Sequence, residues 1–210
     1  MESLNLVGVD LAGSPKRPTG LCIMNESKHV NVGIVLEDSN LISGILEARP
    51  KLVAIDAPLA LPRGRHCLAE HCRGKNHFRA CDLELRKMGI RFFPIKLGTM
   101  RMLTNRGIRI RRTLERAGLT VVETYPGAAQ DLLGFPRRQH GMDRLQRALL
   151  AFGCSGDISA RNLTGDELDA VTCALVAWLH CHGASMRIGE EKEIQMVLPK
   201  CDEDWSCRVK

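Results

Sequence analysis

Three acidic residues, Asp10, Asp56 and Glu123, each stand at the end of a short apolar run rich in β-branched residues. Such runs, followed by turn-forming residues, are typical of buried strands. If the three strands are parallel neighbours, the acids lie at one edge of a sheet, where open α/β sheets bind ligands. Clustered carboxylates repel one another unless a positive group compensates, so these acids could share divalent metal ions. Alternatively, each acid caps the loop that follows it.

Two further acids, Asp166 and Asp169, are one turn apart at the start of an apolar helix, just after a capping box formed by Thr164 and Glu167. An acid is favourable there for electrostatic reasons alone, because the N-terminus of a helix carries partial positive charge. Asp169, however, precedes a segment with little polar surface, where an unpaired carboxylate is costly. The candidate catalytic residues are Asp10, Asp56, Glu123, Asp166 and Asp169, and the candidate Mg²⁺ or Mn²⁺ ligands are Asp10, Asp56, Glu123 and Asp169.

Such a set of carboxylates suits the hydrolysis of a phosphodiester. Two divalent ions roughly 4 Å apart stabilise the charge that develops on the phosphate and on the leaving oxygen, and they lower the pKa of the attacking water. Hard ions such as Mg²⁺ prefer carboxylate and water oxygens as ligands. The acids therefore predict a metal-dependent phosphodiesterase or nuclease.

A cluster of cysteine and histidine occupies residues 66–81. The spacing of Cys67, Cys72, His77 and Cys81 resembles a compact zinc site, although it matches no common zinc finger. Structural Zn²⁺ at these four residues is one interpretation. The others are a cysteine-rich loop without metal, a helical turn that exposes His66 and His71, and a catalytic Cys–His pair, for which no orienting third group is evident.

Arginine is concentrated between residues 101 and 147, in a chain whose net charge is only +6. Arginine suits bidentate contacts with phosphate, but a charged run is also typical of a solvated helix face. Aromatic residues make up only 4% of the chain, so we expect nucleic-acid recognition through backbone and shape rather than through stacked bases. The candidate substrate-binding residues are Arg101, Arg106, Arg109 and Arg112.

The length of 210 residues suits one α/β domain with its own core. The N-terminus lacks the layout of a secretory signal, and the most apolar later stretch, 170–179, is too short to cross a bilayer. We therefore expect a cytoplasmic protein that binds nucleic acid and no membrane. An odd number of cysteines, nine, argues against a disulfide framework. A homodimer stays open as one alternative for the oligomeric state.

Hydrophobic periodicity predicts the elements that must position these residues. An antiparallel meander of three strands should precede a helix, after which parallel strands alternate with further helices. We predict strands at residues 4–10, 19–24, 30–36, 52–56, 121–125 and 194–198, the last at a sheet edge, and helices at 39–48, 83–88, 98–117, 142–152 and 164–180.

This order of elements is that of the ribonuclease H-like fold, in which the first strand is central and the next two parallel strands lie on its open side. We therefore predict a mixed α/β sheet flanked by helices. The domain should span 1–198, with a polar tail at 199–210. Residues 57–118 are predicted to be an inserted helical subdomain that acts as a lid or binds substrate.

Several motifs resemble the domain-of-unknown-function 429 family, a family of predicted nucleases with the ribonuclease H-like fold. The resemblance covers about residues 4–198, and it implies a nuclease-like site at the five acids named above. The motifs that carry it are Gly8-Val9-Asp10, Ile55-Asp56-Ala57-Pro58-Leu59, Cys81-Asp82-Leu83-Glu84-Leu85-Arg86, Gly89-Ile90-Arg91-Phe92-Phe93-Pro94, Glu123-Thr124-Tyr125-Pro126 and Asp166-Glu167-Leu168-Asp169-Ala170.

Two other functions remain open from the sequence. The segment 10–14, followed by Thr19-Gly20, resembles the phosphate-binding hairpin of actin-like ATPases and sugar kinases. The chain nevertheless lacks a second glycine-rich phosphate loop and is short for two such domains. A nucleic-acid-binding protein without catalysis could also use the same fold. Metal-dependent cleavage and ATP turnover would distinguish these alternatives.

Overall fold

The computed structural model describes residues 4–69 and 76–200. Within this part of the chain, eight strands form one mixed sheet in the order β6-β3-β2-β1-β4-β5-β8-β7. The strands are β1 (Asn5–Asp10), β2 (Thr19–Asn25), β3 (His29–Val35), β4 (Leu52–Asp56), β5 (Val121–Thr124), β6 (Ser155–Gly156), β7 (Ser185–Ile188) and β8 (Met196–Pro199).

The helices flank the sheet on both faces. Short 3₁₀ turns at Arg138–His140 and Glu191–Glu193 connect some of the elements. The helices are α1 (Asp38–Ala48), α2 (Ala80–Lys87), α3 (Gly98–Arg116), α4 (Pro126–Leu132), α5 (Met142–Ala151), α6 (Asp157–Ala160) and α7 (Gly165–Cys181).

The pairing of the strands confirms the predicted mixed sheet. β2 is antiparallel to both β1 and β3, whereas β4 is parallel to β1 and β5 is parallel to β4. The prediction for residues 194–198 was wrong about position: β8 lies between β5 and β7, so it is not an edge strand. β7, with the sequence Ser-Met-Arg-Ile, was missed because it is short and only its last residue is buried.

α7 packs directly on the centre of the sheet, and two glycines make this possible. A Cβ atom added to Gly8 would lie 2.1 Å from the carbonyl oxygen of Ala170, and one added to Gly20 would lie 2.1 Å from that of Asp166. Only glycine lets the helix backbone come this close to the two strands. The first turn of α7 is thereby held against the carboxyl end of β1.

The N-terminus of α7 has the predicted capping box. The Thr164 hydroxyl accepts a hydrogen bond from the Glu167 amide at 3.3 Å, and the Glu167 carboxylate accepts one from the Thr164 amide at 2.8 Å. Most of the helix is buried between the sheet and the surrounding elements. Each buried Leu or Val contributes about 1.5–3 kcal/mol to folding, so packing on all sides of the helix holds it in place.

α1 and α3 cover the opposite face, where Ile110 and Leu114 pack with Val9 and Ile55. α2 packs elsewhere, and its residue Leu85 contributes to a smaller cluster with residues of β7 and β8. The two helices described within 57–118, α2 and α3, therefore share hydrophobic clusters with the sheet. No helix within residues 4–69 and 76–200 has the length and apolar character needed to cross a membrane.

Candidate active site

Asp10 and Asp56 are direct neighbours at the carboxyl ends of β1 and β4. They are register partners in the parallel ladder, so their side chains leave the sheet on the same face. This is the face on which α7 packs, as shown by the cluster of Leu6 and Ala54 with Cys173. The side chain of Asp10 is only 13% exposed.

Asp166 and Asp169 approach the same place from the first turn of α7. One guanidinium group, that of Arg138, joins the acids: its Nη1 lies 2.9 Å from Asp166 and 3.5 Å from Asp10, and its Nε lies 3.2 Å from Asp169. The amide of Gln130 also donates a hydrogen bond to Asp169 at 2.7 Å. Four of the five predicted acids thus lie around one site, with Arg138 as the compensating cation.

Burial and mutual repulsion make these carboxyls weak acids. Burial, together with the charge of Asp169, raises the pKa of Asp10 to about 8, although Arg138 opposes the shift. Burial and the neighbouring Asp10 hold the pKa of Asp56 well above its usual range. The pKa of Asp169 is also raised by burial, against the opposing effect of Arg138. The positive charge of Arg138 therefore does not compensate the negative charge of all the acids.

The donor atoms suit a hard cation. Asp10, Asp56 and Asp169 offer carboxylate oxygens from three different elements, and within the described residues the Asp56 side chain accepts no hydrogen bond. In the present conformation, outside 1–3, 70–75 and 201–210, no three His, Cys, Asp or Glu residues are grouped closely enough to hold a metal ion. A bound ion would therefore have to take over contacts that Arg138 now makes.

Glu123 lies on the other face of the sheet. Glu123 is the register partner of Ile55 in β4, and the next residue, Thr124, is the partner of Asp56. Because successive side chains of a strand point to opposite faces, the side chain of Glu123 points away from α7. Its carboxylate forms an ion pair with Arg79 at 2.6 Å and accepts a hydrogen bond from the Leu59 amide at 2.7 Å. Burial raises the pKa of Glu123, and Arg79 opposes the shift.

A cavity of about 290 Å³ lies beside the acids. Asp56 and Asp169 line it, as do Glu123 and its partner Arg79. Arg79 is 2% exposed and also pairs with Asp82 at 2.8 Å. The cavity therefore joins two charged groups, the Arg138 cluster and the buried Arg79 pairs.

The four candidate arginines of α3 have different environments. Arg106 is 2% exposed, and its guanidinium pairs with Asp38 and donates to the carbonyl of Ala12 at 2.6 Å. Arg106 therefore stabilises the turn after β1 from inside the protein. Arg109 also pairs with Asp38, at 2.7 Å, but is 64% exposed.

Arg112 is exposed and lines a shallow groove on α3 together with Arg109, whereas Arg101 is half-buried. Met100, near the start of the helix, lines the cavity beside the acids. At about 1.5 Å per residue, Arg112 lies ~18 Å further along the helix than Met100. Arg109 and Arg112 of α3 and the acids therefore occupy different parts of the surface.

The structure leaves the zinc prediction open, because Cys72 lies outside the described residues. Cys67 and His77 are exposed. Cys81 is buried in an apolar cluster with Leu85, and burial raises the pKa of its thiol. Zinc binding by these four residues stays a prediction.

Arg79 and Arg138 were not predicted from the sequence as site residues. Arg138 belongs to the basic stretch but is 128 positions from Asp10, and no local pattern links the two. Arg79 directly precedes α2, where a buried charge is not expected. One signal was available for Arg79: a Glu123 buried at the end of an apolar run needs a positively charged partner.

The chain matches a known protein family. The family model described as protein of unknown function, DUF429, matches residues 8–194, which include all five acids, Arg79 and Arg138. No curated protein matches the chain.

Proposed function

Because the chain belongs to the DUF429 family, whose function is unknown, we propose its activity from the site: metal-dependent hydrolysis of phosphodiester bonds in nucleic acid. The proposed fold is ribonuclease H-like. The order β3-β2-β1-β4-β5, with β1 central and β2 antiparallel to it, supports this assignment.

One observation carries the proposal: Asp10 and Asp56 are register partners on the face of the sheet where Asp169 approaches from α7. The pKa values of these three carboxyls are raised, and a divalent cation that took the place of Arg138 would relieve their mutual repulsion. Such clusters destabilise a fold, so their presence favours a functional explanation over a structural one.

In the proposed site, Asp10, Asp56 and Asp169 would hold the cation. A divalent ion there would polarise the phosphodiester and lower the pKa of an attacking water. The hydrogen bond from Gln130 orients Asp169. Arg138, which is 45% exposed and borders the cavity, offers a guanidinium that can pair with a phosphate oxygen.

The proposal is tested with the full chain, purified and freed of divalent ions. Thermal unfolding is measured with and without Mn²⁺ or Mg²⁺ for the parent protein, Asp10→Asn and Asp56→Asn. Asp143→Asn is the matched control, because Asp143 is a 77% exposed acid that pairs with Arg147 on the surface of α5. Cleavage of labelled oligonucleotides is measured in parallel, with ATP turnover as a further readout.

We expect Mn²⁺ to stabilise the parent and Asp143→Asn but not Asp10→Asn or Asp56→Asn. Cleavage should require the ion and should fall by orders of magnitude in both site variants. An equal gain in stability for the parent and Asp10→Asn would refute metal binding by Asp10. ATP turnover without cleavage of nucleic acid would favour a phosphotransferase instead.

A further inference from the structure

The aromatic residues of this chain are few but unevenly distributed. There are five Phe, two Trp and one Tyr, and four of these eight gather beside the acids. We call this region the aromatic cleft and define it by Phe78, Phe92, Phe93 and Tyr125. Low aromatic content predicted recognition without stacking on bases, yet half of the aromatic residues lie at one place.

The aromatic cleft is continuous with the acidic site. The cavity of about 290 Å³ that Asp56 and Asp169 line is also lined by Phe92, Phe93 and Tyr125. These three side chains also line a second cavity, of about 620 Å³, which extends to Phe78. A ligand that reaches the acids can therefore also reach the aromatic rings.

The aromatic cleft is ordered by packing but open to solvent. Phe78 and Phe92 pack edge to face with their ring centroids 6.0 Å apart, and the Tyr125 hydroxyl donates a hydrogen bond to the carbonyl of Arg91 at 2.9 Å. Phe93, in contrast, is 70% exposed. Exposure of a phenyl ring to water is unfavourable, and a ring exposed beside a cavity has a face available for stacking.

Arginines alternate with these rings. The guanidinium carbon of Arg86 lies 4.3 Å from the centroid of Phe78, and that of Arg137 lies 5.8 Å from the centroid of Tyr125. Asp131 holds Arg137 in place by two contacts, whereas within the described residues Arg86 and Arg91 form no ion pair. The aromatic cleft therefore has an excess of positive charge.

Alternating aromatic and cationic side chains match the chemistry of single-stranded nucleic acid, whose bases stack and whose phosphates carry charge. In a duplex the bases stack on one another and are not available to the rings. We propose that the aromatic cleft binds the bases of a single-stranded nucleic acid whose backbone runs to the acids. This rests on the proposed function for the role of the acids, whereas binding itself requires no hydrolysis.

The test measures binding separately from cleavage. Fluorescence anisotropy follows labelled 12-nucleotide single strands of DNA or RNA, and a 12-base-pair duplex, in the Asp10→Asn background with EDTA. Phe93→Ala is compared with Leu36→Ala, which removes an apolar side chain of similar exposure, 53%, just beyond β3. Phe93→Trp keeps an aromatic face, and thermal unfolding verifies that every variant folds.

We expect single strands to bind about ten times more tightly than the duplex. Phe93→Ala should weaken this binding about fivefold or more, since a stacked base contributes about 1–3 kcal/mol. Leu36→Ala should have no effect, and Phe93→Trp should restore affinity. Equal affinity for duplex, or no effect of Phe93→Ala, would overturn the proposal, as would equal competition by a mononucleotide and by the unlabelled strand.

The two proposals fail in different ways. Single-strand binding that depends on Phe93, without any ion-dependent cleavage by the parent, would refute the nuclease but leave the aromatic cleft as a binding site. Ion-dependent cleavage that is unchanged in Phe93→Ala would leave the nuclease and refute the aromatic cleft.

Discussion

Asp10 and Asp56 are register partners at the carboxyl ends of adjacent parallel strands, and both project toward α7. Two carboxyls fixed side by side in a buried place repel each other when both are ionised. The backbone ladder does not let them separate, so protons or cations must relieve the repulsion. Arg138 does part of this, because its Nη1 contacts both Asp10 and Asp166.

The first prediction concerns pH. The pKa of Asp10 is raised from 3.8 to about 8 in the folded protein, so the folded state holds this proton more tightly than the unfolded state. Without divalent ions, the resulting stabilisation is fully present below about pH 4 and is lost as the pH rises through about 8. Asp10→Asn removes this dependence, so its melting temperature should exceed that of the parent by more at pH 8 than at pH 5.

Each kcal/mol of repulsion relieved should raise the melting temperature by about 2–4 °C in a protein of this size. Thermal melts in EDTA at the two pH values measure the effect, and Asp143→Asn serves as the control. If the difference between the parent and Asp10→Asn were the same at pH 5 and pH 8, the carboxyl of Asp10 would not titrate as an elevated group.

The second prediction concerns Arg138. Arg138→Ala removes the positive charge that contacts three acids, so the protein without metal should be less stable and should gain more from Mn²⁺ than the parent does. Arg147→Ala is the control, because Arg147 is 71% exposed and, among the residues that the structure describes, pairs only with Asp143 on the surface of α5. The measurement is the melting temperature as a function of Mn²⁺ concentration. A smaller gain for Arg138→Ala would show that Arg138 supports the bound ion instead of competing with it.

The third prediction concerns the glycine under α7. In Gly8→Ala the new methyl group would meet the helix backbone at 2.1 Å, and backbone cannot move aside as a flexible side chain can. We expect a loss of about 3 kcal/mol or more in the free energy of unfolding, at or above the upper range for overpacking. Gly33→Ala on β3 is the control, because nothing lies within 4 Å of the added methyl group. Urea unfolding compares the two, and similar stabilities would contradict the close approach of α7.

The fourth prediction separates two arginines of α3. Arg106→Ala should cost about 3 kcal/mol of stability, because it leaves the carbonyl of Ala12 and the carboxylate of Asp38 without their buried partner. Arg109→Ala should cost less than about 1 kcal/mol, since Arg109 is largely exposed. Urea unfolding measures both. If Arg106→Ala changed nucleic-acid binding without changing stability, the prediction would be wrong and Arg106 would be a substrate contact.

The sequence alone determined several of the elements around the site and the acids at the ends of β1 and β4. β4 and the capping box of α7 lie where they were predicted, because hydrophobic periodicity and helix capping depend on residues a few positions apart. The acidic ends of β1 and β4 follow from the same local pattern. Their meeting required only that the two strands be parallel neighbours, as the order of elements predicted.

The tertiary structure decided which charged groups share a site. Glu123 ends an apolar run in the same way as Asp10, but it lies one residue before the register partner of Asp56, so its side chain pairs with Arg79 on the other face of the sheet. Arg138 and the aromatic cleft come from segments far apart in the chain, so no spacing in the sequence could place them beside the acids. Contacts across a sheet depend on strand order and register, which are properties of the assembled fold and not of any local segment.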